Sequence, residues 1–387
     1  MTPRFHGLDA CRAAAMMPGL FFHGAISFMQ ASVPWAIQDR STHWGADAFV
    51  WICHSFRMPM FFLLAGFFGR LVYEKRGPAG YARHRARRLL IPFVATLVPL
   101  VPSLYVLWKW GVAKGGPRVI AGVRPEFRAI TAETILRSPG HLWFLYYLLI
   151  LVALLGLVVS ASRKLPLDGL KRRVDGIVSA LVRYRLVALV LAVPTAATLA
   201  FMQVPSADTP IGFLPQPRIL SYYAVFTGFG WLLHRQAGLV EQFGRSLWVP
   251  LALAAITFLP AGKMAEQIFL NGPPAALSEW LRVLYISAVF GWSLVVLFLG
   301  AFVRWGDRPR PWVAYLSDAS YWCYLIHLPV IVAFQILVSD LAWPGLLKYA
   351  MLMAATIAIC LGTYHAFVRY TFIGASLNGP REKPVTP

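Results

Sequence analysis

The sequence predicts an all-α polytopic membrane protein with about ten transmembrane helices and both termini in the cytoplasm. Three observations predict it. Hydrophobic residues fill 58% of the 387 positions and charged residues only 13%, the composition of a chain whose solvent is largely lipid. Apolar runs long enough to cross ~30 Å of hydrocarbon recur along the chain. The formal charge of +20 is not gathered in one stripe but falls in the gaps between those runs, where Lys and Arg report topology rather than nucleic-acid binding.

The runs begin near Ala10, Ala46, Leu89, His141, Leu186, Ile219, Leu247, Leu281, Trp312 and Gly345, the weakest being Leu247 to Pro260, short and bounded by prolines. An even number of crossings puts both termini on one side. The gaps Arg70 to Arg88 and Arg163 to Arg185 carry seven basic residues each, and the positive-inside rule makes that side cytoplasmic. The gap Lys109 to Arg137, with six basic residues, falls on the outer side and reads as a substrate-facing or lipid-headgroup surface. Arg12 and His23 interrupt the first run as no signal peptide would, so it is expected to remain as a membrane helix. No internal repeat or low-complexity tract divides the chain. Residues 1–376 are read as one transmembrane domain and 377–387 as a flexible cytoplasmic tail. The cysteines, Cys11, Cys53, Cys323 and Cys360, form no CxxC pair, so neither a metal site nor a disulfide framework is expected.

Ionisable side chains are expensive in apolar runs and mark sites there. In the first run Asp9 and Arg12 form an i,i+3 pair at the inner boundary. His23 follows Arg12 by eleven residues, three helical turns, so the two share one stripe roughly 16 Å apart. The second run holds His54 and Arg57 on one face, with Arg57 close to the depth of His23 and Pro59 loosening the backbone nearby. These residues are readable as a polar knot between helices or as the lining of a hydrated cavity. The run Arg83, Arg85, Arg87, Arg88 reads as a topology determinant or as an anion cradle, with Arg85 and Arg88 sharing a helical face. His141 and Trp143 open the fourth run as aromatic-belt or cavity residues. His327, between Tyr324 and Pro329, is either packed core or cavity.

No Walker A loop, GxGxxG, GxSxG or HExxH occurs, which leaves histidine and arginine to carry any chemistry. A mid-depth histidine without an acidic neighbour suits general-base activation of a hydroxyl attacking a thioester, with arginines stabilising the anion or orienting the donor. The phosphates of an acyl-coenzyme A suit the basic run and Arg12, with its thin apolar arm rising towards His23.

These residues resemble a known family. LDACRAAAMMPGLFFH is similar to the Arg-x10-His signature of acyltransferase 3 membrane proteins, and RARR, with Arg85 and Arg88, to that family's Arg-x-x-Arg element. HSFRMPMFFLLAGFF, RRLLIPF, SPGHLWFLYYL and SDASYWCYLIHLPV are further matches. Within the family the chain looks most like the periplasmic glucan succinyltransferases, chiefly through HSFRM and HLWFL. The resemblance implies a bacterial inner-membrane enzyme with no tightly bound cofactor. It would take a succinyl or acetyl group from cytoplasmic succinyl-CoA or acetyl-CoA to a hydroxyl of a periplasmic glucan or other envelope glycan. His23 and Arg12 become the catalytic pair, with Arg12, Arg85 and Arg88 engaging the donor, and His54, Arg57 and His327 match further family-like positions. If the group is succinyl, its carboxylate needs a cation, and Arg57 is the nearest. Membrane lipids are the other expected partner, and nucleic acid is not. A transporter or flippase for an acyl donor or lipid-linked glycan, with His23 and Arg57 as its permeation site, is the alternative, as is acylation of O-antigen or exopolysaccharide.

Overall fold

The computed structural model describes residues 6–31, 33–117, 130–306 and 311–379. Helices make up most of it, and the described residues contain no strand beyond one isolated bridge between Val204 and Ser206. In chain order the first helices are α1 (His6–Ile26), α2 (Trp44–Arg85), α3 (Ile91–Ala113), α4 (Ala132–Leu136), α5 (Trp143–Ser162), α6 (Asp168–Arg183) and α7 (Val187–Leu199). They continue as α8 (Pro217–His234), α9 (Val240–Arg245), α10 (Trp248–Asn271), α11 (Leu277–Trp305), α12 (Pro311–Val338), α13 (Gly345–Thr363) and α14 (Phe372–Asn378). Two π-helical turns, Ala86–Leu90 and Tyr364–Val368, follow α2 and α13.

Among the described residues six helical stretches are long and apolar enough to cross a membrane: Trp44–Ala113, Gly140–Ser162, Trp248–Asn271, Leu277–Trp305, Pro311–Val338 and Gly345–Val368. A seventh arises if α6 and α7, bent by 119°, are taken as one broken span. The sequence leads one to expect ten, and the difference has physical sources. The first stretch merges α2 and α3 over 70 residues, about 105 Å if straight and more than three bilayer cores long. It leaves helical geometry at Gly77 (φ 65°, ψ −179°), a left-handed φ that glycine adopts without a Cβ penalty. Among the described residues α1 counts only as a shorter apolar helix, Met16–Ile26, and α7 has 13 residues. Conversely, α10 does not stop at Pro260 but runs through it to Asn271. The basic gap before α7, read in the sequence as topology alone, is the amphipathic helix α6, which buries Val178, Leu181 and Val182 and leaves Leu170, Arg172, Arg173 and Ile177 exposed.

Helices α2 and α8 pack most closely, because glycines remove the side chains between them. A Cβ on Gly66 would strike the Thr227 carbonyl, and one on Gly230 the Leu63 carbonyl. Around that seam Phe62 stacks on Tyr223 at 4.2 Å, and Phe226 on Trp292 of α11 at 4.3 Å. Helix α1 lies against α2 and α12. The segment that returns from α1 to α2 is tied down by a fully buried ion pair, Lys348 Nζ to Asp39 Oδ1 at 2.5 Å, with Lys348 also donating to the Leu341 carbonyl at 3.1 Å. This pair fixes the strap over the end of α1 that carries His23.

Candidate active site

His23 sits in the last turn of α1 and faces α12. Its Nδ1 lies 2.9 Å from Nε2 of His327. The other nitrogen of His327, Nδ1, is 2.8 Å from the Tyr324 carbonyl and 3.1 Å from that of Cys323. Carbonyls only accept, so His327 Nδ1 carries the proton, and in the neutral ring its Nε2 is an acceptor. His23 Nδ1 therefore donates to it, which leaves His23 Nε2 with a lone pair. The two rings are tilted by 37° with centroids 5.0 Å apart.

Helix α12 also holds His141, which precedes α5 in the 3-10 turn Gly140–Leu142. His141 Nε2 donates to the Tyr324 carbonyl at 2.8 Å, and Tyr324 Oη donates back to the His141 carbonyl at 2.9 Å. Its ring lies 4.9 Å from that of His327 and 6.4 Å from that of His23, and its Nδ1 is buried with no hydrogen-bond partner among the described residues. Pro329 contributes to the gathering: it has no N–H to bond the Leu325 carbonyl one turn earlier, so α12 is loosened where the histidines meet it. Three histidines thus converge, although the described residues hold no cluster suited to a metal ion.

Arg57 reaches the same region from α2. It is 8% exposed, its guanidinium carbon stands 4.6 Å over the Phe22 ring, and no acidic side chain pairs with it among the described residues. A side chain at Gly19 would collide with this guanidinium, so glycine one turn before His23 is what lets Arg57 lie against α1. His54 takes a different direction: its Nε2 donates to the Ala207 carbonyl at 2.8 Å and its ring stacks on Phe22 at 6.2 Å. The loop that carries Ala207 is closed by Asp208, which pairs with Arg218 at 3.2 Å and accepts from the Gln203 N–H at 3.1 Å. Burial pushes the Asp208 carboxyl above its usual range, against the pull of the Gln203 N–H and Arg218. Trp143 packs on Tyr147 at 6.0 Å and Tyr223 at 5.8 Å as part of the aromatic core.

At the opposite end of the helices Arg85 lies over Tyr81, 5.2 Å from its centroid. Arg88, in the π turn, donates from Nη1 to the Leu377 carbonyl of α14 at 2.6 Å, while its own carbonyl accepts from Tyr321 Oη at 2.6 Å. Arg85 precedes the π turn and Arg88 lies within it, and the two reach Tyr81 and the Leu377 carbonyl respectively. The backbone of Asp9 and Arg12 lies in α1, but their side chains are outside the described residues.

Sequence reasoning did not single out Trp35 or Gln335. Trp35 stacks on the His23 imidazole, 5.9 Å between centroids and 7° from parallel, and its Nε1 donates to Gln335 Oε1 at 2.8 Å. Gln335 Nε2 in turn donates to the carbonyls of His23 at 2.9 Å and Gly24 at 3.0 Å. Gln335 had a findable signal, a lone amide in the apolar run PVIVAFQILV. Trp35 had none.

Fold and site together define a multi-pass membrane protein that encloses a histidine-centred polar site among its helices. The chain belongs to the acyltransferase 3 family, whose acyltransferase domain matches residues 5–365. Curated relatives named glucans biosynthesis protein C, from Salmonella paratyphi B, Salmonella dublin and Salmonella gallinarum, are 24% identical over 388 aligned positions, covering 98% of this chain and 95% of theirs. No solved structure matches the chain.

Proposed function

We propose that the protein is a membrane-bound O-acyltransferase. It moves a succinyl or acetyl group from cytoplasmic acyl-CoA to a hydroxyl of a periplasmic carbohydrate, with an osmoregulated periplasmic glucan as the favoured acceptor. The observation that carries the reading is the direction of the His23 to His327 hydrogen bond, which makes Nε2 of His23 the free acceptor of the pair. In the proposed step the acceptor hydroxyl gives its proton to His23 Nε2 as its oxygen bonds the thioester carbonyl carbon. The carbonyl oxygen becomes an oxyanion beside Arg57. Collapse of that intermediate breaks the carbon–sulfur bond, and the departing thiolate of coenzyme A takes the proton back from His23. A succinyl carboxylate finds its cation in the same Arg57, which has no acidic partner among the described residues.

The relatives' name, glucans biosynthesis protein C, supports the acceptor class. The location we propose is the bacterial inner membrane, with about ten crossings and both termini cytoplasmic. The basic gaps support that direction, and with it a donor arriving at the Arg12, Arg85 and Arg88 end. The test is mass spectrometry of envelope glycans from cells making equal amounts of native protein or His23→Ala. Acyl ester should fall by roughly a hundredfold or more, as expected when a general base is removed. Unchanged ester content sinks the catalytic assignment.

A further inference from the structure

Helix α1 ends at Ile26, so the carbonyls of its last turn have no intrahelical partner and must find another one. Those of His23 and Gly24 both find Gln335 Nε2, which comes from α12 about two turns beyond His327. The amide orientation is forced by its partners: the carbonyls only accept, so Nε2 faces them, and the Trp35 indole N–H only donates, so Oε1 faces it. Trp35 closes the circuit by laying its ring parallel to the His23 imidazole. It is itself braced edge-on by Trp108 of α3 at 5.4 Å. One amide therefore fixes the backbone under His23 and the aromatic ring covering its side chain, and each contact constrains the other.

We infer that Gln335 and Trp35 are positioning residues that hold His23 in line with His327, an inference that rests on the acyl-transfer reading above. Neither needs to touch substrate. Three elements meet at His23: α1 supplies the base, α12 supplies both His327 and Gln335, and the returning strap supplies Trp35. A helix terminus held only by its own backbone frays, and a general base displaced by an ångström loses much of its rate. The flat ring of Trp35 also faces the imidazole in its protonated state, which exists only after the hydroxyl proton has moved.

The experiment uses the full chain in proteoliposomes, succinyl-CoA as donor and acyl-free glycan extracted from cells lacking the protein as acceptor, with release of the coenzyme A thiol as readout. Native protein is compared with Gln335→Met, Trp35→Phe and the double variant, with His23→Ala as the zero. The expected result is a fall in kcat of about tenfold or more for each single variant, with both KM values within about twofold of native. Because the two residues act through one circuit, the double variant should be no more than about threefold below the worse single. Losses that multiply, that appear in KM alone, or that leave kcat within twofold of native overturn the clamp. Trp35→Phe keeps an aromatic face but loses the N–H together with the fused second ring, so it preserves the test if Gln335→Met does not fold; a thermal midpoint confirms which variants are intact. Activity that survives in His23→Ala overturns the base assignment instead, so the two failures are distinguishable.

Discussion

A neutral imidazole donates from one nitrogen and accepts at the other, so the bond that His23 makes through Nδ1 decides what its Nε2 can do. That logic ranks substitutions at His327. His327→Gln keeps a side-chain acceptor for Nδ1–H, whereas His327→Leu has none; kcat should fall by roughly tenfold or less in the first and by a hundredfold or more in the second. Equal losses in steady-state assays would remove the orienting role. Arg57 admits a second comparison. A cation facing a substrate carboxylate is a charge-assisted contact worth ~1.5–3 kcal/mol, so Arg57→Gln should depress succinyl transfer about tenfold more than acetyl transfer. A uniform fall with both donors would leave Arg57 to the oxyanion alone. His23, Arg57 and His327 were legible in the sequence because charge or titratability inside an apolar run is costly enough to stand out. Trp35 was not, because tryptophan is ordinary at a membrane boundary and its role lies in the partner it meets from α12.

Packing between α2 and α8 turns on two glycines that face each other across the seam, and α8 supplies its own control. Gly228 has open space where a Cβ would stand, while the same atom on Gly230, two positions on, would strike the backbone at Leu63. Gly230→Ala should therefore destabilise the protein by about 1–3 kcal/mol, and Gly228→Ala should be neutral or slightly stabilising. Thermal midpoints in one detergent decide it: a drop shared by both variants would point to lipid contact rather than to the seam, since helix propensity favours alanine over glycine. The existence of most helices was legible from their apolar runs, since bilayer thickness sets a length that composition reveals. What composition does not reveal is how a run is broken. The π turn at Ala86–Leu90 begins between Arg85 and Arg88, whose i,i+3 spacing reads in the sequence as an α-helical face, and such a widened turn leaves no trace in hydropathy. The prolines at 260 and 329 are equally ambiguous in the sequence, for both are carried inside helices whose neighbours support the interrupted turn.

For the molecule as a whole, the polar site and the membrane signal compete for the same residues. Among the described residues helix α1 counts only as a shorter apolar helix, Met16–Ile26, and the sequence sets Asp9, Arg12 and His23 along its run, so the helix nearest the chemistry carries a weakened hydropathy signal. Its place is secured by other elements: α2 and α12 along its sides, and across its end the strap tied by Asp39 and Lys348. Removing one partner of that buried pair leaves an uncompensated charge, so Asp39→Asn or Lys348→Met should each cost about 3–5 kcal/mol, while Asp39→Leu with Lys348→Met should recover much of the loss. Because the strap carries Trp35 to His23, the single variants should lose activity in step with the fraction of protein that unfolds at the assay temperature. The double variant should regain both together, as measured by thermal midpoint and ester formation on the same preparations. Recovery of stability without recovery of activity would mean that Asp39 and Lys348 serve the reaction directly rather than through the strap.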